Sequence, residues 1–304
     1  METLQTRYIC GREGDRLRTA AFDAAPGSRP RGVCVLLSGQ TEFIEKYGEV
    51  IGELQLRGFR VATLDWRGQG GSRRDLPNRL KVHIGDFSEY DEDLTAFMDM
   101  VVRPMSERPP LALAHSMGGH ILLRALHARP KQFAAAVFSA PMVDFLTRGY
   151  PRPVARAACY LHNLFGRADD WVWGMDGRDP LMMRFADQLV TSDTARFQRS
   201  QDLIARHPEI RLTGPTWGWL EAAYRSIARM NRAGYAEKIT TPVLICGAGK
   251  DRIVDTAATA QFAKRLPNGS YLELGEAEHE ILMERDDIRA RFWNAFDGFV
   301  EKYV

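Results

Sequence analysis

Five short apolar runs recur along the chain, separated by longer and more polar stretches. Their residues are mainly β-branched or small, and most of the runs close on Gly, Pro or Ser. Runs of this length and composition predict strands that are covered on both faces, as in a parallel sheet. The five predicted strands are Gly32–Gly39, Phe59–Trp66, Leu111–Ser116, Ala134–Pro141 and Thr241–Gly249.

Helix-like stretches lie between these strands, at Lys46–Arg57, Phe87–Val102 and Met117–Ala128. In the third stretch, apolar residues recur at the three- and four-residue spacing of one buried helical face. Strands that alternate with helices predict right-handed crossovers between parallel strands. The predicted fold class is therefore α/β, with a doubly wound and mostly parallel sheet.

The alternation fails in two places. The first thirty residues predict an antiparallel hairpin at the sheet edge, with its turn at Gly11–Asp15. No strand-like run occurs from about Asp144 to Tyr235, and residues 145–235 contain thirteen Arg, nine acidic residues and no Lys. We therefore predict a helical lid at 144–235, inserted between two parts of one core at 1–143 and 236–304. Such a lid would cover the crevice where open α/β sheets bind ligands.

Composition narrows the class of protein further. The 304 residues are 45% hydrophobic and 26% charged, which is typical of a globular protein that needs no disulfide or metal for stability. The net charge is only +2 and no single-sign block of about five or more charges occurs, so no nucleic-acid partner is expected. The polar start is unlike a signal peptide, and no apolar run reaches the roughly 18 residues of a membrane span. We expect a cytoplasmic protein with buried thiols at Cys34 and Cys246, while peripheral membrane contact through the lid and the oligomeric state stay open.

The strongest chemical signal is the segment Ala114–Gly119, which reads AHSMGG. It follows a predicted strand and begins a predicted helix. Small residues around Ser116 allow the strand to turn sharply into the helix, which exposes the hydroxyl and directs the helix N-terminus at a developing oxyanion. We predict that Ser116 is a nucleophile. The alternative is a serine that only caps the helix.

A serine hydroxyl is a weak nucleophile without a base, so this interpretation requires a histidine and an acid later in the chain. Asp251 follows a predicted strand, and His279 follows the strand-like segment Tyr271–Leu274. Both residues come in the order and topology that would place them beside the turn. We predict His279 as the general base and Asp251 as the acid that orients it. Asp255 is the competing acid, although capping of the following helix is its expected role.

Six other histidines compete with His279. One lies on the turn beside the serine and should point away from the hydroxyl. Two follow on the helix, where core or surface roles are expected, and three fall in loop or lid segments without an acid placed to orient them. In that order these histidines are His115; His120 and His127; and His83, His162 and His207.

The predicted mechanism is acyl transfer through the serine. His279 takes the Ser116 proton during attack on an ester carbonyl, and Asp251 fixes the imidazole tautomer. Two backbone N–H groups should bind the oxyanion, that of Met117 after the nucleophile and that of Gln40 after the first of the five predicted strands. This chemistry needs no cofactor, and no His, Cys and carboxylate grouping shows metal-ligand spacing.

Three segments together resemble the serine-hydrolase branch of the α/β-hydrolase superfamily that holds monoacylglycerol lipases and bacterial lysophospholipases. They are Ser38–Glu42 with Tyr47 downstream, Asp65–Ser72, and the turn around Ser116. The chain departs from this family at Ser38, where histidine is usual, and at Ala114, where glycine is usual. The resemblance implies an α/β-hydrolase fold, single-chain acyl esters as small-molecule substrates, and a lid of the kind that often touches membranes.

The leading hypothesis is a carboxylic-ester hydrolase that acts on monoacylglycerol or lysophospholipid. The same triad also serves acyltransferases and cofactor-free haloperoxidases, and a ligand receptor can be built on a retired hydrolase fold. Two features of the lid each allow two interpretations. The arginines either attract a phosphate headgroup or are simply solvated. The tryptophans either line an acyl pocket or a membrane interface, or they fill the core of the lid. These tryptophans are Trp171, Trp173, Trp217 and Trp219.

Overall fold

The computed structural model describes residues 5–11, 14, 16–147, 149–175 and 177–304. Eight strands of the described chain form one large sheet, and two short strands form a separate pair. In chain order the strands are β1 (Thr6–Cys10), β2 (Arg16–Phe22), β3 (Gly32–Leu37), β4 (Phe59–Leu64), β5 (Lys81–Val82), β6 (Leu111–His115), β7 (Ala135–Ser139), β8 (Gly214–Pro215), β9 (Val243–Ala248) and β10 (Gly269–Leu274).

The large sheet has the order β1-β2-β4-β3-β6-β7-β9-β10. β1 pairs antiparallel with β2, and β2 with β4, whereas every other neighbouring pair is parallel. The predicted doubly wound, mostly parallel sheet is confirmed, and the five predicted strands correspond to β3, β4, β6, β7 and β9. The predicted edge hairpin is β1 and β2, with Cys10 opposite Arg16. Residues 12, 13 and 15 of its predicted turn lie outside the described residues.

Eight α-helices lie within the described residues. They are α1 (Gly48–Leu56), α2 (Ser88–Phe97), α3 (Ser116–Ala128), α4 (Arg152–Leu164), α5 (Thr194–Arg206), α6 (Trp217–Met230), α7 (Thr256–Ala263) and α8 (Asp286–Tyr303). The first three agree with the predicted helices, although α2 ends early and continues as a π-helical turn at Met98–Val102. Apolar periodicity over so few residues does not distinguish a single π-helical turn from a continued α-helix.

The core of the molecule surrounds the parallel strands. Every residue of β6 and β7 is buried, as expected when helices cover both faces of a sheet. The two predicted thiols, Cys34 and Cys246, are buried on β3 and β9. Helix α8 adds the fully buried rings of Phe292 and Phe296. The rigid sheet thus presents the carboxyl ends of β3, β6, β9 and β10 at one edge, where loops can carry chemistry.

The segment between β7 and β9 contains α4, α5 and α6. The same segment contains β8, a two-residue strand that pairs with β5 and is too short for any alternation to predict it. Helix α6 packs into the main core through Trp219, Ala223 and Ile227. Within the described residues, no helix is both long enough and apolar enough to cross a bilayer.

Candidate active site

The turn between β6 and α3 is strained. Ser116 has a φ of 49°, in the left-handed region that residues other than glycine rarely adopt. The neighbouring backbone comes so close that a Cβ on Gly118 would lie 2.4 Å from the carbonyl oxygen of Ser38. A Cβ on Gly119 would lie 2.8 Å from the Cβ of Pro141. The two glycines are therefore needed for the helix to start beside the ends of β3 and β7.

Side chains from three strand ends meet at this turn. The Nε2 atom of His279 lies 2.9 Å from the Oγ atom of Ser116, and Nδ1 lies 2.7 Å from Oδ2 of Asp251. The other carboxylate oxygen of Asp251 accepts hydrogen bonds from the backbone N–H groups of Ile253 and Val254. With the carboxylate ionised, the neutral imidazole carries its proton on Nδ1. Its Nε2 atom then accepts the hydrogen bond of the serine hydroxyl.

The electrostatics of this group match its geometry. Burial alone would raise the pKa of Asp251, but His279 and the two backbone donors outweigh it and hold the pKa below its ordinary value. Burial would likewise lower the pKa of His279, whereas the charge and hydrogen bond of Asp251 raise it above the ordinary imidazole value. The carboxylate stays charged, so a proton gained by the imidazole is stabilised where it forms.

The competing acid takes the role expected for it. Asp255 caps α7 by accepting the backbone N–H of Ala258 at 2.9 Å. Its other oxygen accepts a hydrogen bond from Arg152 at 3.2 Å. Asp255 therefore serves the helix start and not the histidine.

Most of the other histidines also behave as expected. His115 is buried with Nδ1 3.0 Å from the Ser139 carbonyl, and burial lowers its pKa to about 4. His120 is buried on α3, and its two ring nitrogens contact the Met142 carbonyl and the Ser226 hydroxyl. One expectation was wrong, because an acid does lie beside His207. Each of the four remaining histidines contacts at least one neighbour. The contacts include His207 with Glu209 at 3.2 Å, His83 with Thr216, His127 stacked on Tyr235, and His162 stacked on Trp217. His207 and Glu209 are exposed and lie two residues apart in the chain, so solvent screens the interaction between them.

The loop after β3 runs directly beside the nucleophile. A Cβ on Gly39 would lie 3.1 Å from the Cβ of Ser116. Met117 lies in the first turn of α3, where backbone N–H groups have no acceptor within the helix. Among the described residues, no acceptor contacts the backbone N–H of Gln40 or of Met117. The predicted oxyanion donors are thus both unpaired and both adjacent to Ser116.

A buried charged cluster lies next to this loop. The ammonium of Lys46 lies 2.9 Å from Glu42 and 2.5 Å from Glu280, the residue after the histidine. Glu42 also accepts hydrogen bonds from the Tyr47 hydroxyl and the Gly39 N–H. Sequence reasoning missed Lys46 and Glu280, although the four-residue spacing of Glu42 and Lys46 is a signal for an ion pair. Nowhere in the described chain do three His, Cys or carboxylate side chains gather as a metal site requires.

A cavity of about 320 Å³ opens beside Ser116. Its wall is mainly apolar and comes largely from the segment between β7 and β9, including Phe145, Leu146, Val172, Leu220 and Tyr224. Of the four tryptophans singled out in the sequence, three line the cavity, namely Trp173, Trp217 and Trp219, while Trp171 does not. Sequence reasoning missed Arg252, the residue directly after the acid of the triad, which also lines this cavity. Its Nη2 atom donates to Glu278 at 3.1 Å, although half of the side chain is exposed.

Known proteins share both this sequence and this fold. A family model described as serine aminopeptidase S33 matches residues 28–286. Lysophospholipase L2 of Escherichia coli K12 is 32% identical over 278 residues, which are 89% of this chain and 81% of that protein. Monoacylglycerol lipase of Mycolicibacterium smegmatis is 34% identical, but over 119 residues that are 39% of this chain and 41% of that protein.

A solved structure extends the likeness to the whole fold. Monoglyceride lipase from Saccharomyces cerevisiae, crystallised as a soluble variant, superposes with a TM-score of 0.75 at 18% identity. The match covers 100% of this chain and 97% of that chain. From the family match, the sheet order and the strained serine turn together, the chain belongs to the serine aminopeptidase S33 family of hydrolases with the α/β-hydrolase fold.

Proposed function

We propose that this protein hydrolyses the carboxylic ester of lysophospholipids through an acyl-enzyme on Ser116. One observation carries the proposal, namely the continuous Ser116–His279–Asp251 hydrogen-bond chain at the end of an apolar cavity. Such a chain supplies a nucleophile, a base within 2.9 Å and a carboxylate that orients the base. The protein is thus a carboxylic-ester hydrolase of the lipase and lysophospholipase type.

The reaction proceeds in two halves. Ser116 Oγ attacks the ester carbonyl carbon while its proton moves to Nε2 of His279, and the N–H groups of Gln40 and Met117 bind the new oxyanion. The tetrahedral intermediate collapses as His279 returns the proton to the leaving glycerol oxygen. Water then attacks the acyl-serine with the help of the same imidazole, which releases the fatty acid and restores the hydroxyl. Asp251 stabilises the imidazolium in both halves.

The cavity favours a single acyl chain. Its volume of about 320 Å³ and its aromatic wall suit one apolar chain, which would leave the headgroup at the opening. Arg252 supplies a cationic group at this wall, where a headgroup phosphate could accept its hydrogen bonds. The nearly full-length similarity to lysophospholipase L2 supports the same substrate class.

We propose no contact between the substrate headgroup and the arginines of residues 144–235. Many of them pair with carboxylates of their own, which favours the interpretation that they are structural or solvated. These pairs are Arg152 with Asp144, Arg167 with Asp170, Arg184 with Asp187, Arg196 and Arg199 with Glu49, Arg211 with Asp179, and Arg225 with Glu221.

Residues 144–235 act as a lid that meets a lipid surface. One face of α4 exposes an apolar stripe that continues just past its C-terminus, and α4 carries arginines but no acidic residue. The rim of the cavity is also exposed and apolar. The exposed fractions are 50% for Val154, 46% for Leu161, 61% for Leu164, 73% for Phe165, 42% for Leu146, 51% for Tyr150 and 52% for Trp173. Contiguous apolar surface of this kind marks a site of contact with lipid or protein.

A covalent probe tests the reaction. A fluorophosphonate should label the wild-type protein at Ser116 and should not label Ser116→Ala, because only an activated serine hydroxyl attacks phosphorus at a useful rate. Peptide mass spectrometry would identify the labelled residue. If the folded wild type resists the probe, the serine-hydrolase mechanism is wrong.

A substrate pair tests the headgroup assignment. Arg252→Gln should slow hydrolysis of lysophosphatidylcholine by about tenfold relative to a monoacylglycerol of the same chain, since a charge-assisted hydrogen bond is lost. Lys250→Gln is the matched control, because Lys250 lies two residues before Arg252, pairs with Glu276 and does not line the cavity. Equal losses on both substrates would refute phosphate recognition and favour monoacylglycerol.

A further inference from the structure

The segment Ser38–Glu42, called the oxyanion loop below, is held from outside by the loop that follows β4. The indole Nε1–H of Trp66 donates to the Ser38 carbonyl at 2.9 Å. Oδ1 of Asp65 accepts the backbone N–H of Ile44 at 2.9 Å. The Ser38 hydroxyl has no hydrogen-bond partner among the described residues. The loop after β4 therefore supports the oxyanion loop, whereas the side chain of Ser38 does not.

Gln69 makes the most specific of these contacts. Its Oε1 atom accepts the backbone N–H of Thr41 at 2.6 Å, and its Nε2 atom donates to the carbonyl of Gly39 at 3.0 Å. The side chain is fully buried. Because one partner can only donate and the other can only accept, the two backbone groups determine the orientation of the amide.

These two contacts bracket Gln40. The N–H of Gly39 is bonded to Glu42 at 2.5 Å, and the N–H of Thr41 is bonded to Gln69. Of these three consecutive N–H groups, only that of Gln40 lacks a partner within the described residues. Thr41 has a φ of 61°, a left-handed conformation that a threonine adopts only when its surroundings hold it.

We propose that Gln69 is a positioning residue for the oxyanion hole, because its side-chain amide holds Gly39 and Thr41 so that the Gln40 N–H stays free for the substrate oxyanion. This inference rests on the proposed function, since it assigns a role to a residue behind the same site. Gln69 touches neither the substrate nor the triad. It acts through the backbone on either side of Gln40.

The loop around Gln69 is built to deliver this amide. Gly68 and Gly70 flank the residue with φ values of 77° and 47°, which glycine alone adopts without strain. A Cβ on Gly70 would lie 2.1 Å from the carboxyl group of Asp65. That carboxylate accepts the Gly71 N–H at 2.7 Å and the Arg18 guanidinium at 2.7 Å. Within the conspicuous segment Asp65–Ser72, it is Gln69 that thus has a place in catalysis, although its side chain does not reach Ser116.

The test removes both hydrogen bonds with little change in volume. Gln69→Met should lower kcat about a hundredfold, which is the size of effect seen when one oxyanion donor is lost, while KM changes less than about threefold. The affinity for a trifluoromethyl ketone, which forms a tetrahedral oxyanion on the serine, should fall by the same factor as kcat. Inhibition by the product fatty acid should not change. The acid limb of the kcat/KM profile should stay in place, because His279 and Asp251 are untouched.

Ser72→Ala is the matched control. Ser72 is a buried residue of the same loop, and its hydroxyl donates to the Asp65 carbonyl at 2.6 Å and accepts the Arg18 N–H at 2.8 Å. The control should lower the melting temperature without changing kcat or binding of the trifluoromethyl ketone. Gln69→Asn, which keeps an amide but is shorter by one methylene, provides a second variant if Gln69→Met does not fold, and it should show the same selective loss.

The possible outcomes separate this inference from the proposed function. If wild-type protein is labelled by a fluorophosphonate but kcat of both Gln69 variants stays within threefold of wild type, the positioning role is wrong and the hydrolase remains. If Ser72→Ala loses kcat as Gln69→Met does, or if the acid limb shifts in the Gln69 variants, the loss is a general effect on structure and the inference fails. A wild type that is never labelled would instead refute the proposed function.

Discussion

The loops around Ser116 and the exposed face of α4 are stabilised in opposite ways. Around the serine, buried polar side chains such as those of Asp251 and Gln69 pair with specific partners at hydrogen-bond distance. The outer face of α4 instead presents Leu161 and Leu164 to solvent, and the helix is attached through a small cluster with Trp217. The region around Ser116 depends on the direction and length of its hydrogen bonds, whereas α4 presents apolar surface area.

This difference indicates a division of labour. Stabilisation of charge in a transition state requires oriented donors and acceptors, so an error of about 1 Å is costly. Association with a lipid surface requires only apolar area that can leave water, because the hydrophobic effect has no preferred direction. Substitutions at the serine turn should therefore affect every ester, while substitutions on α4 should affect only esters held in membranes or micelles.

The largest effect should come from Asp251→Asn. An amide cannot stabilise the imidazolium and favours the wrong tautomer of His279, so kcat should fall about 10⁴-fold on both soluble and aggregated esters. Steady-state rates on p-nitrophenyl butyrate and on lysophosphatidylcholine micelles would measure this. Asp255→Asn is the control, because Asp255 caps α7 and should alter stability but not the rate. A variant of Asp251 that keeps more than a tenth of the activity would contradict the assignment.

The pH profile should show the next effect. His279 must be neutral to accept the serine proton, and Asp251 raises its pKa above the ordinary value of 6.5. Log kcat/KM should therefore rise to a plateau above that pKa and fall about tenfold per pH unit below it. In the residual activity of Asp251→Asn the acid limb should move to lower pH, since the charge that favours imidazolium is gone. An acid limb that stays in place would show that this carboxylate does not act on the imidazole.

A smaller and selective effect is expected on α4. The double variant Leu161→Glu and Leu164→Glu should slow hydrolysis of vesicle-bound lysophospholipid roughly tenfold, because about 1.4 kcal/mol of apolar transfer is lost. Hydrolysis of p-nitrophenyl butyrate should not change. Leu56→Glu on α1 is the control, since Leu56 is 71% exposed but lies outside the insertion. Equal rates of the α4 double variant and the Leu56 variant on vesicles would show that α4 makes no lipid contact.

The smallest effect on catalysis is expected in α5, whose arginines pair with Glu49 of α1. Glu49 accepts hydrogen bonds from Arg196, Arg199 and Arg289. Glu49→Gln should lower the free energy of unfolding by about 1–3 kcal/mol and leave hydrolysis of p-nitrophenyl butyrate unchanged. Glu53→Gln, which breaks a single, partly exposed pair with Arg57, should cost less than about 1 kcal/mol.

The stability difference at Glu49 should also depend on pH. The hydrogen bond from Arg196 and the other arginines lower the pKa of Glu49 from 4.5 to about 2. A carboxylate whose pKa is lowered by folding stabilises the protein above its unfolded pKa, and this contribution disappears as pH falls through the folded value. The gap between wild type and Glu49→Gln in urea unfolding should narrow between about pH 4.5 and pH 2. A gap that does not depend on pH would mean that the ionised carboxylate contributes nothing.

Much of this protein follows from local pattern alone. The apolar runs were sufficient for β3, β4, β6, β7 and β9, because a strand buried on both faces must be apolar along its length. The small residues around Ser116 and the order of Ser116, Asp251 and His279 led to the candidate site, because strand ends of a parallel sheet share one edge.

Other features depend on contacts between residues far apart in the chain. No pattern near Gln69 indicates that its amide lies against Gly39 and Thr41, and none near Glu280 indicates that Lys46 lies beside it. The short pair of β5 and β8 and the packing of α6 into the main core were equally invisible, since two residues carry no periodicity and an amphipathic helix does not specify its partner. Hydrophobic pattern acts along the chain and determines elements, whereas hydrogen bonds that cross the fold need distances that only the assembled tertiary structure sets.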